Sequence, residues 1–121
     1  MKPVRFVGSA RDDLGSFPKA VRTRAGHELF MVQVGRDPDD WRPMSSIGSG
    51  VCEIRLRDPS GAYRVIFVAK FADAVYVLHA FHKKTRKTTR GDLDLAKQRY
   101  QIACKLAEGV NRGWKRDRIE R

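Results

Sequence analysis

The sequence reads as an α+β chain, helices combined with a mostly antiparallel sheet, and three observations carry that reading. Apolar residues between Pro18 and Val34 recur at helical spacing. From Val51 to Arg57 the period changes to two, and two further strand-like runs follow it through Phe81. A second helical stripe then runs from Leu93 to Ala107.

Each element has a local cause. Residues 3–7 are a short strand of β-formers (Val4, Phe6, Val7) that Gly8 ends. Ser9 caps a helical turn through Leu14, and Gly15 breaks it. Pro18 sits in the first turn of the next helix, where its missing N–H costs nothing. That helix runs to Val34, with Val21, Ala25, Leu29 and Val32 on one face and Arg22, Arg24 and Glu28 on a solvated opposite face. Residues 35–50 read as a loop rich in glycine, proline and aspartate, with Trp41 plugging onto the core. Gly48-Ser49-Gly50 reads as a flexible approach to the next strand. Val51–Arg57, Ala62–Ala69 and Ala74–Phe81 form an antiparallel meander, the first turn being Asp58-Pro59-Ser60-Gly61. The last of these strands is apolar on both faces and is therefore central. Thr89 caps the final helix, with Asp92 three residues on. The helix should stop near Gly109. Residues 1–109 are read as one domain and 110–121 as a loosely attached basic tail.

The chain has 121 residues, 41% of them hydrophobic and 32% charged, with a formal net charge of +11. That suits one modest core and an anionic partner. No apolar run is long enough to span a membrane, and no secretion signal opens the sequence. Cys52 and Cys104 read as reduced, partly buried thiols of a cytoplasmic protein. Neither the cysteines nor His27, His79 and His82 have metal-binding spacing, so no metal or other cofactor is expected.

The charge is uneven. Residues 1–50 carry eight basic and six acidic residues, and residues 51–121 carry seventeen and eight. The densest run, His82 to Arg90, has five basic residues (Lys83, Lys84, Arg86, Lys87, Arg90) and no acid. The Asp58–Gly61 turn sets a register in which Arg57 faces Ala62, Arg55 faces Arg64 and Glu53 faces Ile66. Two arginines opposed across a ladder repel, which a fold tolerates best on a face that binds anions. Glu53, two positions along that face, compensates in part. Phe81 beside Lys83, Lys84 and Arg86 pairs an aromatic ring with cations, the combination that holds single-stranded RNA. His79, on an apolar strand, reads as a structural histidine.

The segments Trp41-Arg42-Pro43-Met44, Ile47 to Arg55, Tyr63-Arg64-Val65-Ile66-Phe67-Val68 and Val77 to Thr85 resemble the phage-derived, HigB-like branch of the RelE/ParE toxin superfamily. The likeness covers roughly residues 3–107. It implies an α+β fold with helices packed on one face of a small, mostly antiparallel sheet. It implies the toxin of a type II toxin–antitoxin pair, which cleaves messenger RNA on the ribosome without metal by attack of a ribose 2′-OH on the adjacent phosphate. Arg64 and Arg55 match the family's phosphate-stabilising cations. Lys83 and Lys84 match its basic loop as acid or base, with His82 the alternative proton carrier. Arg57, Phe81, Arg86, Lys87 and Arg90 are the remaining RNA-binding candidates. The implied partners are a helix-turn-helix antitoxin and ribosome-bound mRNA, with no membrane and no small-molecule substrate. Two other readings share the fold or the charge: a non-catalytic toxin that poisons a protein such as gyrase, and a plain RNA-binding module.

Overall fold

In the computed structural model residues 1–119 are described, with side chains to residue 110. The elements are β1 (Val4–Phe6), α1 (Ala10–Gly15), α2 (Lys19–Gln33), β2 (Trp41–Pro43), β3 (Val51–Asp58), β4 (Gly61–Val68), β5 (Val75–Lys83) and α3 (Arg90–Ile119). The strands make one open sheet in the order β1-β5-β4-β3-β2. Only β1 and β5 run parallel. The α+β class and the meander are as expected.

The β3–β4 hairpin has the expected register, with Arg55 opposite Arg64, Arg57 opposite Ala62 and Glu53 opposite Ile66. The Asp58 carboxylate closes the turn by accepting from the Ser60 N–H at 3.0 Å and hydroxyl at 2.6 Å. These contacts hold the Asp58 carboxyl below its usual range.

The helices do not share one face of the sheet, which corrects the arrangement implied by resemblance. Val21, Ala25, Leu29 and Val32 of α2 pack with Leu14 of α1 on Ile54, Leu56, Val65 and Val77. Ala96, Tyr100, Ala103 and Ala107 of α3 pack on the other side, against Ile66, Val68, Tyr76 and Leu78. The physical reason is the two-sided apolar character of β5, since both of its faces need cover.

A β-bulge decides what that cover leaves open. Ile66 pairs with His79, but Phe67 pairs with Val77, so Leu78 is an extra residue in β5. Leu78 and His79 therefore both face α3. Beyond the bulge the alternation is inverted, and Phe81 and Lys83 share a face with Arg64 and Ala62.

Four further expectations are corrected. Residues 35–50 include the edge strand β2, which pairs Arg42 with Glu53. Trp41 does not plug the core: it is 37% exposed, because its partner Ile54 already lies under α2. Glu28 is buried rather than solvated, and accepts the Asp39 N–H at 2.8 Å. The final helix also continues past Gly109 to Ile119, because a lone glycine without a following proline costs a helix only about 1 kcal/mol. The expected loose attachment of residues 110–121 concerns side chains that, from residue 111 on, lie outside the description. Gly48 is held for packing, since a β-carbon there would lie 2.4 Å from the Tyr100 ring. Cys52 and Cys104 are free and half-buried.

Candidate nucleic-acid interface

The sheet face that carries α3 is not fully covered. Toward the Asp58–Gly61 turn it exposes a groove of about 340 Å³ lined by Arg42, Arg55, Arg57, Ala62, Arg64, Lys83, Thr85 and Arg86. The cations of the sheet arrive by four routes. Period-two alternation puts Arg55 and Arg57 on this face of β3. Cross-strand pairing brings Arg64 from β4. The edge strand β2 brings Arg42, and the inverted alternation of β5 brings Lys83.

Repulsion in the groove is met from below. Glu53 is fully buried, with Oε1 3.3 Å from Arg42 Nε and 3.5 Å from Arg64 Nε. Arg55 Nε lies 3.7 Å from Asp40 Oδ1. Arg64 is itself buried, and one of its terminal N–H groups donates to the Tyr63 carbonyl at 3.1 Å. Burial pushes the Arg64 guanidinium below its ordinary range; Glu53 opposes this, while Arg55, Arg57 and Arg42 add to it. At neutral pH it stays charged. Lys83 Nζ donates to the carbonyls of Thr85 (2.8 Å) and Arg86 (2.5 Å), curling the basic loop toward the groove. Two of its three protons are thereby used.

The remaining candidates are dispersed. Phe81 pairs across the ladder with Arg64, is half-buried, and stacks on His79 with ring centroids 4.8 Å apart. His79 is a structural residue: its Nε2 lies 2.8 Å from Asp92 Oδ1, while its buried Nδ1 has no hydrogen-bond partner among the described residues. Asp92 in turn takes part in the Thr89 cap of α3. His82 pairs with Tyr63 and lies on the α1–α2 face, so the sheet separates it from Arg64. Lys84, Lys87 and Arg90 are on the loop and first turn of α3 and do not line the groove. Arg90 is almost wholly exposed, 4.0 Å from Asp94.

Two functional-looking residues escaped sequence reasoning. Arg42 sits on a strand of three residues, too short for any periodicity to announce it. Glu53 was legible as a nearby opposite charge but not as a buried one. Among the described residues no group of three or more His, Cys, Asp or Glu is placed to hold a metal ion. No helix among them is long and apolar enough to cross a membrane.

Residues 12–101 match the family model described as phage derived protein Gp49-like (DUF891). The chain belongs to this Gp49-like family. The Gp49-like proteins are a phage-derived, toxin-like family of RelE type, associated with toxin–antitoxin systems. Membership points to an antitoxin as partner. A comparison with curated proteins gives no match. The matched span reaches from α1 through the first three turns of α3 and so includes every residue of the groove.

Proposed function

We propose that this Gp49-like protein is a HigB-like toxin that inhibits translation in the cytoplasm by cutting ribosome-bound mRNA. The observation that carries the reading is the groove itself. Six cations converge on one open sheet face, with no acid among the lining residues and a buried carboxylate holding two of the arginines. A surface made only for solubility has no need of a buried, directed arginine. A surface for phosphate does.

In the proposed reaction the ribose 2′-hydroxyl gives its proton to water, its oxygen bonds to the adjacent phosphorus and the bond to the 5′-oxygen breaks. The products are a 2′,3′-cyclic phosphate and a 5′-hydroxyl. Arg64 and Arg55 stabilise the charge that grows on the phosphorane oxygens. Arg42 and Arg57 bind the flanking phosphates, and Arg86 extends that contact into the loop. Lys83, with one N–H left free by its two loop bonds, supplies the proton for the leaving 5′-oxygen. Lys84, Lys87 and Arg90 lie farther along the basic segment and add long-range attraction to the ribosome's RNA. Among the described residues no imidazole and no carboxylate lines the groove, so its contribution is mainly electrostatic.

Mapping transcript ends after induction in growing cells tests this reading. Codon-phased cuts in translated messages are expected. Intact messages accompanied by DNA damage would instead identify a poison of DNA gyrase, and intact messages without damage a plain RNA-binding module.

A further inference from the structure

β1 pairs with β5 only as far as Val77, which leaves the outer edge of residues 79–83 without a neighbouring strand. A cleft of about 550 Å³ wraps this edge beside the α1–α2 junction. It is lined from both faces of β5, by Tyr63 and His82 on one side and His79 and Phe81 on the other, with Asp13 and Ser16 above. Each side carries a ring stack. The exposed imidazole of His82 lies on the buried ring of Tyr63, with centroids 4.5 Å apart and planes at 16°. Tyr63 is backed in turn by Phe17 at 4.9 Å. A β-carbon at Gly61 would come within 2.4 Å of His82 Nε2, so the bare backbone there makes room for the imidazole. Phe81, half-buried, is backed by His79.

The cleft and the groove have opposite chemistry. Among the described residues no lysine or arginine lines the cleft, and no acid lines the groove. The cleft therefore suits a neutral aromatic ring rather than a phosphate. Phe81 and Lys83 are two residues apart on one strand, roughly 7 Å, and His82 lies between them on the opposite face, so an RNA strand that rounds the open edge of β5 can reach both sites. We propose that the β5-edge cleft is a nucleobase site for the same RNA strand whose phosphates lie in the arginine groove, with the base stacked on His82. This rests on the RNA reading above. It turns His82 from a proton carrier into a stacking platform. Asp13 accepts hydrogen bonds only, so the site favours a base with an exocyclic amino group over uracil, whose one base donor, N3–H, lies between two carbonyls that repel a carboxylate.

Binding of 2′-O-methyl RNA hexamers, which cannot be cleaved, to the full chain tests the proposal. Wild type should bind an adenosine hexamer several-fold more tightly than a uridine hexamer. His82→Ala should weaken adenosine binding about five- to tenfold, the lower range for loss of one base–aromatic stack. His82→Phe should restore both binding and message cleavage, and Asp13→Asn should reduce the preference over uridine. Unchanged binding in His82→Ala and Asp13→Asn, alongside weakened binding in Arg57→Ala, overturns the cleft and leaves the groove standing. Loss of cleavage in His82→Phe with binding intact also overturns it, in favour of a proton carrier. No hexamer binding by wild type, with Arg57→Ala indistinguishable, removes the RNA reading and this site together. Folding of each variant is checked by its thermal transition, since His82 is exposed but Asp13 is half-buried and accepts from the Ser9 hydroxyl at 2.8 Å.

Discussion

Glu53 Oε1 lies 3.5 Å from Arg64 Nε, and both side chains are withdrawn from solvent beneath the arginine groove. Neither Glu53 Oε2 nor Arg64 Nε completes a hydrogen bond within the protein, so charge rather than a closed fork joins them. Such a pair is poor at adding net stability but costly to break on one side. Glu53→Gln should lose about 3 kcal/mol in urea denaturation. Glu53→Gln combined with Arg64→Gln should recover part of that loss, and strict additivity of the two single changes would contradict the coupling.

Phosphate contacts announce themselves through salt. For a single strand, each neutralised phosphate contributes about −0.7 to the slope of log affinity against log salt. Arg57→Ala should flatten that slope by about one such step and weaken binding of all hexamers alike. An unchanged slope would mean that Arg57 touches no phosphate.

Tyr76 supplies a pH signature at the other end of the sheet. Burial, then the hydrogen bond to Asp73 (2.5 Å) and the charge of that carboxylate, push its hydroxyl up to about 12. The folded protein thus favours the neutral phenol. The associated stability is fully present below the unfolded value near 10 and is lost as pH rises toward 12. Wild type should lose roughly 2–3 kcal/mol over that interval relative to Tyr76→Phe. Parallel pH–stability curves for the two proteins would refute the assignment.

Gly48 tests the packing of α3. Gly48→Ala puts a methyl group 2.4 Å from the Tyr100 ring, whose hydroxyl is tied to the Ser49 carbonyl at 3.0 Å. The ring cannot yield freely, so the variant should unfold with about 1–3 kcal/mol less stability. An unaltered denaturant midpoint would show that the ring moves aside at no cost.

What the sequence made legible follows from where its signals are local. The Asp58–Gly61 turn set the hairpin register, and with it the Arg55–Arg64 opposition and the compensating place of Glu53. The stripe Val21, Ala25, Leu29, Val32 found α2. The groove needed more than local signals. Arg42 comes from a strand of three residues, which leaves no period to read. Lys83 and Phe81 reach the arginine face through the bulge at Leu78, and an inserted residue inside an all-apolar run changes no pattern of polarity. His82 looked close to Arg64 because both belong to basic segments, yet alternation sends it through the sheet. Helices on both faces became evident only with the two separate cores.

In the proposed reaction Arg64, seated on Glu53, stabilises a phosphate during message cleavage. The most direct measurement is the rate of codon-phased cleavage of a translated mRNA by Arg64→Ala, with folding confirmed by circular dichroism. A loss of about 10²–10³-fold, with growth arrest abolished, is the predicted result. Cleavage at the wild-type rate by the folded variant would contradict it.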